Sequence, residues 1–231
     1  MLTEKDEKFW TPNENIVESL VRMLPEGATV LEIGPGLIPF PRATHFIDSR
    51  PDDDLYNYAP RENVLLWDVH NTPLPYPDKF FDFIYCRHVI EDLHYPHKLI
   101  EEMSRIGKRG FIETPSPMAE LSRGIDGSSP KYRGYHHHNW FVWNLDEKLF
   151  LFKKLPKVEY ADFPDEALMY SILRTNPIAW NSYLLWDHAI EYHEIEYTYY
   201  NNDVLFVTVL RLAVENSYRY TAKSLERLCV S

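Results

Sequence analysis

The chain has 231 residues, 45% of them hydrophobic, a formal net charge of −11, and two cysteines, Cys86 and Cys229. That is enough apolar material for a sizeable core in one decorated domain. The acidic balance argues against a broad nucleic-acid surface. The two distant cysteines make no metal, redox or disulfide spacing, which suits a reducing cytoplasm. No apolar run reaches the length of a membrane span, and the opening MLTEKDEKFW is not a secretory signal. The expectations are a cytoplasmic location and neither a membrane nor a nucleic-acid partner; the oligomeric state is left open.

In chain order, Thr11-Pro12-Asn13-Glu14 reads as a helix start: Thr11 caps, Pro12 suits the first helical position, and Glu14 sits at the reciprocal capping position. Ile16, Val17, Leu20, Val21 and Leu24 then recur at helical spacing, and Pro25-Glu26-Gly27 stops the helix. The stretch Thr29–Asp48 organises the rest of the chain. Val30-Leu31 is a buried strand; Glu32, Gly34 and Gly36 form a tight turn; His45-Phe46-Ile47 is a second strand ending in Asp48. Glycines there allow a sharp turn and close approach to a ligand, and an acid ending the next strand can accept hydrogen bonds from ribose hydroxyls. The blander alternative is a plain strand-to-loop turn. Pro39 and Pro41 make a regular crossover helix after Gly36 improbable, so the connection is a loop or a single turn.

Val64 to Trp67 is a short strand that ends in Asp68. Phe80 to Tyr85 is a strongly apolar strand with Cys86, Arg87 and His88 at its carboxyl end, where side chains face the ligand crevice of open α/β sheets. His88 is the best single candidate for a general base, because an unperturbed imidazole titrates near neutrality. Glu91 and Asp92 open the next helix, which continues from Pro96 to Ile106 with Leu99, Ile100, Met103 and Ile106 inward. Arg109 to Glu113 is a fifth strand, with Glu113, Thr114 and Ser116 available to a substrate.

Two blocks carry a resemblance. VLEIGPG, Val30 to Gly36, looks like the first motif of class I S-adenosylmethionine-dependent methyltransferases, and DKFFDFIYCRHVIEDLHYP, Asp78 to Pro96, resembles a block of their "type 11", small-molecule branch. The resemblance spans roughly Val30 to Pro117. It implies a Rossmann-like, mostly parallel sheet with helices on both faces and a closing antiparallel hairpin. It also implies S-adenosylmethionine as cofactor, held by Glu32, Gly34, Gly36, Asp48, Asp68 and Val69, with Asp68 meeting the adenine amino group and the Val69 amide a ring nitrogen. The nearly absent crossover helix departs from that pattern.

The segment Ser122 to Trp143, SRGIDGSSPKYRGYHHHNWFVW, reads as a long irregular, aromatic-rich insertion, a lid over the substrate. His136, His137 and His138 invite a metal reading, but in an extended segment only His136 and His138 share a side. The favoured role is substrate or acid/base contact, with no metal assigned. Lys131 and Arg133 are surface charges or anion contacts. Pro164 to Leu173 is a short helix. His188 to Tyr200 and Asp203 to Val214 read as a hairpin turning at Asn201-Asn202, followed by a helix from Asn216 to Val230.

The whole is expected to be one domain: residues 11–117 as the cofactor-binding half, 118–187 as the lid, and 188–231 as the hairpin and final helix. The activity implied is transfer of a methyl group to an oxygen, less readily a nitrogen, of a small polar metabolite or sugar. His88, His136, His137 and His138 stand on the acceptor side. The alternatives are a non-catalytic S-adenosylmethionine-binding chain or partner subunit, and a metal-dependent enzyme built on the histidine cluster.

Overall fold

The computed structural model describes residues 11–49, 61–71, 73–126, 131–163, 166–196 and 206–217. Helix α1 (Glu14–Met23) precedes strands β1 (Val30–Ile33), β2 (His45–Asp48), β3 (Val64–Leu66) and β4 (Phe83–Arg87). Helix α2 (Pro96–Ile106), strand β5 (Arg109–Pro115) and helix α3 (Pro117–Leu121) come next. Strands β6 (Trp140–Leu145) and β7 (Lys148–Lys153), helix α4 (Glu166–Thr175), and strands β8 (Asn181–Asp187) and β9 (Tyr192–Ile195) complete the named elements. Residues 206–217 are also helical.

The central sheet has the order β3-β2-β1-β4-β5-β8, parallel except for β8, which runs antiparallel to β5. The strand order reverses between β1 and β4, so their carboxyl ends flank the crevice where such sheets take ligands. Alternate residues of each strand feed two cores. On one face Val30, Phe83, Tyr85, Phe111 and Tyr183 meet Ile16 and Leu20 of α1, Leu24 just after it, and Phe40 of the crossover. On the other, Leu31, Ile33, Ile84, Cys86 and Ile112 meet Leu99, Ile100, Met103 and Ile106 of α2. Helices therefore cover both faces, as the sequence implied.

The short crossover is also as expected. Phe40 replaces the missing helix: its ring stacks 4.6 Å from that of Tyr85, and its backbone N–H is tied to β1 through Glu32. The α1 cap differs by two residues. Asn13 is the cap, its Oδ1 accepting from the Asn15 and Ile16 amides at 3.1 and 3.3 Å. Thr11 and Pro12 lie before the helix.

A second sheet, β6-β7-β9, was not expected; Ser122–Trp143 was read as irregular throughout. Trp140, Val142, Leu149 and Leu151 pack on the core beneath the central sheet. Phe141, Trp143 and Phe152 face the other way, into a core closed by α3, α4 and the helix over 206–217. Trp140, Phe141 and Trp143, taken as part of a lid, thus belong to a strand buried on both sides. The antiparallel hairpin is β6–β7, turning at Asp146 and Glu147, both at positive φ (51° and 66°). Among the described residues of 188–214, β9 pairs parallel to β7, and residues 206–214, expected in a strand, are helical. The expected turn at Asn201-Asn202 lies outside the described residues, as does nearly all of the expected final helix. Strand β8, within the stretch assigned to the lid, is an integral strand of the central sheet.

Candidate functional site

On the cofactor side, β1 runs into a turn in which Gly34 and Gly36 have φ of +68° and +55°. A Cβ on Gly34 would lie 2.5 Å from Cγ2 of Val89, whereas one on Gly36 would meet nothing within 4 Å. Gly34 is therefore the point where the turn after β1 touches the turn after β4, and Gly36 leaves open space beside it. Asp48 ends β2 at the same sheet edge, half-buried. The two glycines and Asp48 fit S-adenosylmethionine: bare backbone beside open space for the amino-acid portion, and a carboxylate at a strand end for ribose hydroxyls.

The other expected cofactor residues are engaged locally. Glu32 is 2% exposed, and its Oε2 accepts from the Phe40 amide at 2.8 Å. Burial pushes its carboxyl up to about 8, only partly opposed by that amide and by Arg87, so Glu32 braces the crossover largely as a neutral acid. Asp68 folds back on its own turn, its Oδ1 accepting from the His70 amide at 2.9 Å and lying 2.8 Å from His70 Nδ1. Val69 is half-buried against the core under the sheet.

The acceptor side is built by two segments far apart in sequence. After β4, His88 takes a left-handed backbone (φ 53°), rare for a non-glycine residue, fixed in part by its N–H donating to the Glu113 carbonyl at 2.9 Å. Its ring lies between two buried carboxylates, 3.3 Å from Glu91 and 3.6 Å from Glu113. Burial alone would lower its pKa, but Glu113 and Glu91 outweigh that and raise it to about 9. His88 is thus an imidazolium at neutral pH, which fits a fixed charge better than the general base expected of it. Glu91 does not begin a helix; Ile90–Asp92 is one 3-10 turn that buries Glu91 beside His88.

The histidine run docks on this same turn. The Asn139 amide donates to the Glu91 carbonyl (2.8 Å), Asn139 Nδ2 to the Asp92 carbonyl (2.7 Å), and Trp140 Nε1 to the Leu93 carbonyl (2.8 Å). His136 and His137 occupy a turn rather than an extended segment, so the alternation expected from sequence fails. His137 and His138, not His136 and His138, share a side: the Nε2 of each lies 3.7 Å from Asp92 Oδ1. His136 turns away to pair with Asp126. His138 is buried, with Nδ1 2.5 Å from Glu120 Oε1. Lys154 Nζ donates to Glu120 Oε2 (2.5 Å) and to the carbonyls of Tyr135 and Arg133.

This network sets the charges. Burial would raise the Glu120 carboxyl, but Lys154 and His138 hold it below its ordinary value. Burial would lower the His138 imidazole, but Glu120 holds it above. Burial lifts Asp92 to about 6 against the pull of His138, and lowers His137, whose ring is half-exposed. His137 is both open to solvent and shifted toward the neutral form.

Glu91 and Asp92 were read only as acids opening a helix, and Glu120 and Lys154 were not singled out from the sequence. The one available signal was three histidines facing an excess of nearby acids. Other expected contacts are structural. Thr114 and Ser116 are buried and donate to the Val142 and Ala179 carbonyls. Arg133, 3% exposed, donates to the Leu121 and Ala161 carbonyls and pairs with Glu166.

Residues 52–112 match the family model described as a methyltransferase domain. The matched stretch lies within the mostly parallel, Rossmann-like central sheet and runs from the residues after β2 into β5. An uncharacterized protein of Methanocaldococcus jannaschii is 31% identical over 112 residues, 46% of this chain and 54% of that protein. The chain thus spans about half the length of that relative. Among solved structures, a putative methyltransferase from an antibiotic biosynthesis pathway of Anabaena variabilis is 20% identical (47% of this chain, 48% of that one, TM-score 0.37). A SAM-dependent methyltransferase of Aquifex aeolicus is 22% identical (55% and 77%, TM-score 0.37). No helix among the described residues is long and apolar enough to cross a membrane.

Proposed function

We propose that the chain is an S-adenosylmethionine-dependent methyltransferase acting on an oxygen of a small polar metabolite or sugar. The observation that carries this reading is the contact at Val89, which joins the glycine turn after β1 to the histidine- and acid-bearing turn after β4. When bound, S-adenosylmethionine supplies a methyl group on a sulfonium sulfur. Gly34 and Gly36 would give it bare backbone, and Asp48 would receive its ribose hydroxyls. The chemistry it would supply is exchange of its methyl carbon–sulfur bond for a carbon–oxygen bond to the acceptor hydroxyl, whose proton must then be taken up. On the acceptor side the chain offers the half-exposed pair Asp92 and His137 for that proton, with imidazolium His88 fixed behind them. Transfer from an activated leaving group asks the protein mainly for positioning and exclusion of water.

The test is mass spectrometry of small polyhydroxy and sugar acceptors incubated with purified chain and S-adenosylmethionine. Acceptor gaining one methyl, with loss of the product in Asp48→Ala, supports the reading. Binding without product from any acceptor supports a second one, a chain that binds the cofactor without turnover or is completed by a partner. That second reading is favoured by the local engagement of Glu32 and Asp68.

A further inference from the structure

Three ligand-type atoms converge above the 3-10 turn that comes after β4. His137 Nε2 and His138 Nε2 each lie 3.7 Å from Asp92 Oδ1, and the three residues each offer a ligand atom within 4.8 Å of the others. Ligands on a tetrahedral ion with bonds of about 2.1 Å stand about 3.4 Å apart, so side-chain shifts of a few tenths of an ångström would close both Asp92 separations. Two imidazoles and a carboxylate make a donor set for divalent first-row transition ions, and mark them off from magnesium and calcium, which prefer all-oxygen sites.

The supporting residues are those such a site needs. Glu120 Oε1 lies 2.5 Å from His138 Nδ1, which assigns the proton to Nδ1 and turns the lone pair of Nε2 toward Asp92. Lys154 holds Glu120 in place, and both are buried. His137 has the same pattern more loosely, with Nδ1 3.9 Å from Asp126. One ligand is thus rigid and buried, while Asp92 and His137 have side chains 41% and 50% exposed, leaving the outer side of the group open to solvent or substrate. A second grouping, Asp126 with His136 and His137, shares His137 but has no buried ligand, and its Asp126 is already paired to His136.

We propose that Asp92, His137 and His138 bind one divalent transition-metal ion, with Glu120 as the buried positioning residue behind His138. If the methyl-transfer reading holds, the ion lies on the acceptor side, where it would acidify a coordinated hydroxyl in place of proton uptake by His137. That role rests on the methyl-transfer reading; the metal site does not.

The experiment is titration of untagged, chelator-stripped full-length protein with Co2+, monitored by visible d–d absorption, and with Zn2+ by calorimetry. One equivalent is expected, lost in His137→Gln and in Asp92→Asn, both at half-exposed side chains and checked for folding by circular dichroism. Glu120→Gln should weaken binding about 10- to 100-fold, and His136→Gln should leave it unchanged. No saturable binding, binding kept in His137→Gln, or loss in His136→Gln with retention in Asp92→Asn would each overturn the proposal. S-adenosylmethionine binding measured on the same preparations separates a failed metal site from a failed methyltransferase reading.

Discussion

The contact between the turns after β1 and β4 gives the sharpest stability prediction. Alanine at Gly34 meets two penalties: a left-handed backbone at φ +68°, costing roughly 1–2 kcal/mol, and a methyl 2.5 Å from Val89 Cγ2, an overpacking of about 1–3 kcal/mol. Alanine at Gly36 meets only the first, because nothing lies within 4 Å of its Cβ. Gly34→Ala should therefore be less stable than Gly36→Ala by about 1–3 kcal/mol, or roughly 2–12 °C in midpoint for a domain of this size. Thermal and urea denaturation monitored by circular dichroism measure both variants. Adding Val89→Ala should rescue Gly34→Ala, so that the double-mutant cycle shows a favourable coupling of about 1–2 kcal/mol, and should not rescue Gly36→Ala. Equal destabilisation of the two glycine variants, or a cycle with no coupling, would refute the claim that the turns are in contact at Val89.

The buried groups give further tests. The folded pKa of Glu32, raised to about 8, lies above the ordinary carboxylate value, so its stability contribution is complete below the unfolded pKa and is lost as pH rises toward 8. Glu32→Gln keeps an acceptor for the Phe40 amide and should stabilise the protein by a few kcal/mol at pH 8 and hardly at all at pH 4; a pH-independent difference in melts would count against this. His88, raised to about 9, also stabilises fully below its unfolded pKa and loses that contribution as pH climbs through 9. His88→Asn, which tolerates the positive φ, should be destabilised at pH 6, with the gap to wild type closing above pH 9, and the His88 ring should titrate near 9 by NMR. Lys154→Met leaves the buried Glu120 carboxylate with His138 alone and should cost about 3–5 kcal/mol, read by urea denaturation; a loss under 1 kcal/mol would show the pair to be dispensable. Alanine at Gly134 would meet the Glu120 backbone at 2.5 Å from φ +56°, whereas at Gly124 only the backbone conformation is strained, so Gly134→Ala should melt well below Gly124→Ala.

Those parts of the fold governed by local pattern were legible in the sequence. The parallel strands read from their apolar runs and acid ends, α1 and α2 from helical spacing, and the missing crossover helix from Pro39 and Pro41. The glycine turn and Asp48 read from their place at strand ends. Strands β6 and β7 were harder to see because their turn uses Asp146 and Glu147 at positive φ, where Asn-Gly is the usual signal. Residues 206–214 were read as a strand, but Phe206, Leu210 and Ala213 join the second core as one face of a helix; that core is tertiary and invisible to a local pattern. The acceptor side was half legible. His88 and the histidine run stand out by type, but their meeting depends on Asn139 and Trp140 stitching the start of β6 to the turn at residues 90–93. Without that contact, Glu91 and Asp92 look like acids at a helix start.

The methyltransferase reading depends on a cofactor site formed by the glycine turn and Asp48 at the carboxyl edge of the sheet. Calorimetric titration of wild type and Asp48→Ala with S-adenosylmethionine and S-adenosylhomocysteine addresses that site without reference to any acceptor. Saturable binding of both to wild type at one site is expected, with its loss or severe weakening in a folded Asp48→Ala. Binding that survives Asp48→Ala unchanged, or no binding to wild type at all, would contradict the assignment.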